Sequence, residues 1–153
     1  MTEILTRASD IAAALQARLE MCNGTAPYET EIGTRVYRGR RNVGEEVVPC
    51  TVLLEGADTA ESTVGRSGVT AKIVQRYTIG AYLPCDPDNP NDAAHAAIRD
   101  IKRALFSDGG RLGGAVHTVM YRGRDIGARA DGVAIVFVTV DIDVTYIENL
   151  SNP

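Results

Sequence analysis

The fold is decided by the stretch VAIVFVTVDIDVTYI, residues 133–147, in which apolar side chains recur at every second position. Alternation over this length is typical of a β-strand with one buried face. The even positions from Ala134 to Tyr146 are all apolar and are predicted to pack against helices. The odd positions change from apolar to polar halfway along the stretch. They are Val133, Ile135 and Phe137, followed by Thr139, Asp141, Asp143 and Thr145.

The apolar half of the odd face requires a cover of its own. Helices on one side of a sheet bury only one of its faces, and exposed apolar patches mark contact sites. A second copy of the chain is the simplest cover. We therefore predict that Val133, Ile135 and Phe137 form a subunit interface.

Two helices are predicted to pack on the even face. The first has apolar residues at three- and four-residue steps from Ile4 to Leu19, with Thr2 as its cap. The second begins at Asn89-Pro90, where a capping side chain precedes a proline at the first helical position. Gly109-Gly110 ends it.

Further strands are predicted before and between the helices. They lie around residues 35–37, 47–54, 71–83 and 117–121. With the final strand they give an α+β fold, in which a largely antiparallel sheet of four to five strands carries two helices on one face. Residues 56–68 have no period and are predicted to form a mobile loop.

A short motif occurs twice. Tyr37-Arg38-Gly39-Arg40 returns as Tyr121-Arg122-Gly123-Arg124, each time before a longer strand. Both copies are predicted to be turns. Two interpretations are equally compatible with this arginine content: solvated turn residues, or a contact with a partner or nucleic acid. The candidate docking residues are Arg38, Arg40, Arg41, Arg122 and Arg124.

Composition excludes several classes of protein. The 153 residues fit a single domain, residues 1–153, with a formal net charge of −4. Binding nucleic-acid phosphates needs an excess of lysine and arginine, so the chain is not built mainly to grip nucleic acid. No apolar run approaches the roughly 20 residues of a membrane-spanning helix, and we expect no membrane partner. Three cysteines without a C-x-x-C pair argue against a disulfide framework.

Few side chains are candidates for catalysis or metal binding. Asp141 and Asp143 share a strand face at a spacing compatible with acid–base work or a hard cation, but no third ligand is evident nearby. His95 and His117 lack metal-ligand spacing to a cysteine or carboxylate. We therefore expect no metal, no cofactor and no enzymatic activity.

The order of elements resembles the tail terminator, or tail completion, proteins of long-tailed bacteriophages. The resemblance covers almost the whole chain. It rests on the helix from Ile4 to Leu19, the strand pair after it, the helix from Pro90 to Phe106, the passage Ser107-Asp108-Gly109-Gly110-Arg111-Leu112-Gly113-Gly114 and the closing strand that ends near Tyr146.

The resemblance implies a structural virion protein with no catalytic residues. In that family six copies form a ring that caps the tail tube, stops its polymerisation and offers a surface to the head connector. The implied partners are further copies of the chain, the tail tube protein and the head–tail connector, with DNA passing only through the ring lumen. The implied location is the head-proximal end of the tail, after assembly in the host cytoplasm.

Two other functions remain open at this point. One is a different neck, connector or tube subunit of the same virion. The other is a small oligomeric enzyme, which would require Asp141, Asp143 and a histidine to converge on one pocket.

Overall fold

The computed structural model describes residues 7–64, 69–114 and 116–153. In these ranges it contains helices α1 (Arg7–Leu19) and α2 (Pro90–Phe106) and strands β1 (Val36–Arg38), β2 (Cys50–Val64), β3 (Thr70–Pro84), β4 (Thr118–Ile126) and β5 (Ile135–Asn149). The strands form one sheet in the order β1-β2-β3-β5-β4. Only β1 and β2 run parallel; the other neighbours are antiparallel. The predicted α+β class is confirmed.

The final strand divides the sheet into two faces, as its alternation predicts. The even residues of β5 from Val136 to Tyr146 are buried in one core with both helices. Strand β3 pairs with β5 without a break, from Thr70 opposite Asn149 to Pro84 opposite Ile135. We call the side that carries the helices the helix face, and the opposite side the open face.

Helix α2 begins at Pro90, as predicted, but without the predicted side-chain cap. Pro90 occupies the first turn and Asp92 adds a carboxylate there, where the helix dipole favours negative charge. The Asn89 side chain makes no capping hydrogen bond; its backbone oxygen accepts one from the Asp92 N–H at 3.3 Å. After Phe106 the chain turns through Gly109 and Gly110, both with φ of +78°.

The loop after α2 is tied to α1 through one carboxylate. Asp108 accepts hydrogen bonds from the backbone N–H groups of Gly113, at 2.7 Å, and Arg111, at 3.2 Å, and from the Arg18 guanidinium at 2.7 Å. The Gly113 bond, aided by the other two donors, lowers the pKa of Asp108 to about 2. The loop is therefore held against the end of α1.

Helix α1 packs against α2 through Ile11, Leu15 and Leu19, which are fully buried. The predicted cap Thr2 and the first apolar position Ile4 lie outside the described residues. After the helix, the chain returns so closely that the Gly33 N–H donates to the Cys22 oxygen at 2.7 Å. A Cβ at Gly33 would lie 2.9 Å from the Cys22 nitrogen, so this approach requires glycine.

The predicted loop at residues 56–68 is wrong over most of its length. Residues 56–64 belong to β2 and pair with β3, whereas residues 65–68 lie outside the described residues. The register shifts twice, between Glu55 and Asp58 and between Ala60 and Ser62. Each shift interrupts the alternation of faces, which removes the period that reveals a strand.

The prediction of two equivalent arginine turns is also wrong. Tyr37 and Arg38 end β1, and Gly39 turns the chain with φ of +80°. The second copy lies inside β4, where a register shift between Tyr121 and Gly123 leaves Arg122 in a bulge. The two motifs thus lie on opposite edges of the sheet.

A buried carboxylate that sequence reasoning overlooked anchors the segment before β1. Asp100 on α2 is fully buried and accepts hydrogen bonds from the backbone N–H groups of Glu29 and Thr30, the latter at 2.7 Å. The Thr30 hydroxyl donates a further bond at 2.6 Å. Burial, followed by the Asp100 charge, raises the pKa of the nearby Cys22 thiol to about 12.

We predict that Asp100→Ala lowers the free energy of unfolding by about 2–4 kcal/mol, because it leaves several donors without an acceptor. Asp92→Ala is the matched control on the same helix; it is exposed and should cost less than about 1 kcal/mol. Urea unfolding followed by circular dichroism measures both. Equal losses in the two variants would contradict the anchoring role.

Candidate assembly surface

The open face has a second, smaller apolar cluster at one end. Register places Cys50 of β2, Tyr82 of β3 and Phe137 of β5 in one row across the sheet. The rings of Tyr82 and Phe137 stack with centroids 4.4 Å apart. Cys50 and its neighbour on this face, Val52, are buried. Part of the predicted interface is therefore packed within the chain itself.

Phe137 lies over two glycines. A Cβ at Gly80 would lie 2.8 Å from the Phe137 ring and 2.9 Å from a methyl of Val52. A Cβ at Gly127 would lie 3.1 Å from the same ring, and the Gly127 N–H donates to the Phe137 oxygen at 2.7 Å. The ring fits only because both neighbours lack side chains.

Beside this cluster the open face keeps an unfilled apolar groove of about 300 Å³. One wall comes from Val43 and Val48, which precede β2, and the other from the segment between β4 and β5. Val133 at the rim is 41% exposed, while Ile135 and Phe137 are half-buried. The three predicted interface residues therefore line one groove.

Arg129 holds the second wall of the groove in place. Its guanidinium donates to the backbone oxygens of Val133 at 2.7 Å, Ala130 at 3.1 Å and Pro87 at 3.0 Å. These bonds tie the segment before β5 to the one before α2. The groove is thus shaped by the chain's own hydrogen bonds.

The other half of the open face carries a charged network across three strands. Asp143 of β5 accepts from the Arg76 Nε of β3 at 3.1 Å and lies 3.2 Å from the Arg122 Nε of β4. Asp141 accepts from the Thr78 hydroxyl at 2.7 Å. Arg122, a predicted docking residue, is therefore engaged within the chain.

The five candidate docking arginines do not form one surface. Arg38 and Arg41 line an open depression of about 380 Å³ beside β1, and the Arg40 guanidinium lies 4.4 Å from the centre of the Tyr37 ring. At the opposite edge, Arg124 contacts the His95 Nδ1 at 3.0 Å on the helix side. Arg38, Arg40 and Arg41 lie together at the β1 edge. Arg122 lies on the open face, and Arg124 lies on the helix face.

Asp141, Asp143 and His95, which were considered for catalysis, do not converge. Asp141 and Asp143 lie on the open face among Thr78 and two arginines, whereas His95 lies on α2 across the sheet. In the described ranges, histidine, cysteine and acidic side chains form no group of three that could hold a metal ion. None of the described helices is long and apolar enough to cross a membrane.

Comparison with solved structures finds a similar fold. The chain is similar to a chain from the virion of a native gene transfer agent particle, with a TM-score of 0.54. The two chains share a fold. The superposition covers 90% of this chain and 98% of the other at 17% sequence identity. No protein-family model matches the chain, and no curated protein matches it.

We predict that Gly80→Ala lowers the free energy of unfolding by about 1–3 kcal/mol, because the added methyl displaces the Phe137 ring. The loss should shrink when the same change is made beside Phe137→Leu, whose smaller side chain leaves room. A double-mutant cycle by chemical unfolding measures the coupling between the two positions. Additive losses would show that the ring does not lie against Gly80.

Proposed function

We propose that this chain is a structural virion protein that forms a ring at the head-proximal end of a bacteriophage tail, where it ends tube polymerisation and receives the head connector. The carrying observation is the fold shared over nearly the full length with a chain from a virion. The terminator role itself rests on the resemblance in the order of sequence elements. Six copies is the number that this resemblance implies.

The apolar groove is the proposed contact between copies. Its residues Val133, Ile135 and Phe137 border an open, apolar depression on the face that carries no helix. An apolar side chain from a neighbour would fill it and remove the exposed part of Val133 from water. Homo-oligomer contacts are more apolar than the rest of a protein surface, which agrees with this assignment.

The cluster of Arg38, Arg40 and Arg41 is the proposed docking site for acidic surfaces on the tail tube or the connector. All three side chains are exposed at the β1 edge, where Arg38 and Arg41 line a depression together with Glu55, which lies 3.9 Å from the Arg38 guanidinium. Charge of this kind steers encounter more than it fixes final affinity. Arg122 and Arg124 lie at the opposite edge, so a single partner surface would not reach all five.

A second candidate is another neck, connector or tube subunit of a virion. The similar chain comes from a virion, and a shared fold does not specify where along a particle a chain lies. Purified protein that forms closed rings supports the terminator, whereas extended tubes support a tube subunit. Negative-stain images distinguish the two products.

We predict a hexamer by light scattering at tens of micromolar, a concentration chosen because weak oligomers dissociate on dilution. Val133→Asp should shift the protein towards monomer, since it places a charge at the apolar rim. Phe137→Asp is less informative, because that ring also packs within the chain.

Ile147→Asp is the matched control for the groove. It makes the same kind of change on β5, the strand that follows Val133, at a side chain that is 49% exposed and far from the groove. Both variants should keep the circular dichroism spectrum of the unmodified protein. A monomeric unmodified protein would overturn the ring, and equal effects of the two variants would overturn the groove as its contact.

We further predict that Arg40→Glu with Arg41→Glu leaves the ring mass unchanged but slows capping of purified tail tubes. The delay should be largest at low salt, where screening is weak. Glu20→Lys with Asp88→Lys controls for surface charge changes elsewhere. Normal capping by the arginine variant at low salt would show that these side chains are only solvated turn residues.

A further inference from the structure

We infer that a row of cations along α2 and β4 on the helix face contacts the phosphates of nucleic acid. We call this row, Arg124, Lys102 and Arg111, the basic strip. Residues 93–124 contain six lysines and arginines and two carboxylates, whereas the whole chain has a formal net charge of −4. Positive charge is therefore concentrated in one part of an acidic chain. The inference goes beyond the proposed function, because the strip lies within one copy and needs no ring.

Two side-chain contacts join α2 to β4 along the basic strip. The Arg124 guanidinium donates to the His95 Nδ1 at 3.0 Å. The Lys102 Nζ lies 4.6 Å from the centre of the Tyr121 ring. Seven residues separate His95 from Lys102 on α2, a rise of about 10 Å. The two cations therefore lie one after the other where the helix meets the strand.

The bulge in β4 places both strand residues on the helix face. Residues three positions apart on a regular strand point to opposite faces of a sheet. The register shift after Tyr121 changes this, because Tyr121 pairs with Ile142 and Arg124 pairs with Val140. Ile142 and Val140 are both buried on the helix face. The bulge thus directs Arg124 towards α2, which is a common role of bulges.

The loop after α2 adds a third cation to the basic strip. The Gly110 oxygen accepts a hydrogen bond from the Val119 N–H at 2.7 Å, which sets this loop beside β4. Arg111 follows Gly110 and is exposed. From Arg124 to Val119 the strip runs along four residues of the paired strand β5, roughly 13 Å.

The charges of the basic strip are not neutralised within the described part of the chain. No described carboxylate forms an ion pair with Arg124, Lys102 or Arg111. The contacts of Arg124 and Lys102 are with an imidazole nitrogen and an aromatic ring, which carry no negative charge. Arg122, by contrast, is paired with Asp143. The strip can therefore offer its full charge to an anion.

A polyanion fits this arrangement better than a single carboxylate does. Phosphates recur about every 3.4 Å along each strand of duplex DNA, so a strip of roughly 13 Å spans several of them. Tyr121 is 40% exposed between the cations and can pack against the nucleic-acid backbone or a base. The acidic remainder of the chain repels phosphates. The contact is therefore confined to the strip, and its affinity falls steeply with salt.

Fluorescence anisotropy with a labelled DNA duplex of about 20 base pairs tests the contact at low salt, about 50 mM. We expect a dissociation constant of about 10⁻⁴ to 10⁻⁶ M, the range of non-specific binding. With three phosphate contacts, the logarithm of the association constant should fall against the logarithm of salt concentration with a slope of about −2 to −3.

Lys102→Gln with Arg124→Gln should weaken duplex binding at least about tenfold and bring the salt slope closer to zero by about two. Neither change breaks an ion pair of the described residues, so the circular dichroism spectrum should stay unchanged. Arg40→Gln with Arg41→Gln is the matched control. It removes the same charge from the other basic cluster and should bind the duplex like the unmodified protein.

The outcomes separate nucleic acid from other partners. Absence of duplex binding by the unmodified protein at low salt, or equal losses in the two variants, overturns the basic strip as a contact site. Polyglutamate is the probe for an acidic protein surface. Binding of polyglutamate as tight as that of the duplex, and lost in the strip variant, overturns nucleic acid as the partner.

Light scattering on the same samples keeps this inference distinct from the proposed function. The strip variant should have the mass of the unmodified protein, because the strip is not part of the proposed groove contact. A monomeric protein that binds the duplex through the strip overturns the ring and supports the strip. A ring that does not bind the duplex overturns the strip and leaves the proposed function in place.

Discussion

The uninterrupted pairing of β3 with β5 is the constraint on which the rest of the structure depends. Because no bulge breaks the register from Thr70 to Pro84, each residue of these strands keeps its assigned face along the full length. The helices can then bury one face completely. The other face receives an apolar end and a charged end at fixed positions, so one ladder positions the groove, the Asp143 network and both edges.

The sequence predicted strand β5 and the start of helix α2 well. It predicted the outer part of β2 and the role of Asp100 poorly. Strict alternation in residues 133–147 reveals β5, and Asn89-Pro90 marks the start of α2, because both signals are local. Strand β2 was missed beyond Leu54, since two bulges and a run of small and polar residues remove the period. Asp100 was missed although it lies three residues from Ala97 on the buried face of α2. A polar residue within an apolar stripe is the signal that would have found it.

Sequence also located the candidate surface only in part. Val133, Ile135 and Phe137 are apolar positions on a face without helices, and the structure places all three along one groove. The stacking partner Tyr82 is far away in the chain, so the partial burial of Phe137 follows from register alone. Identical four-residue motifs took different conformations, because their surroundings differ. Gly39 turns the chain, whereas Gly123 follows a bulge within a strand.

The outer part of β2 can change in sequence at little cost to the fold. Residues Glu55–Glu61 are exposed, although β2 is paired with β3 along this stretch. Their side chains contribute little to the core, so substitutions here cost the fold little as long as the backbone remains extended. The stretch can therefore diverge quickly between lineages without unfolding the chain. We expect such positions to vary more than the buried positions of the same sheet.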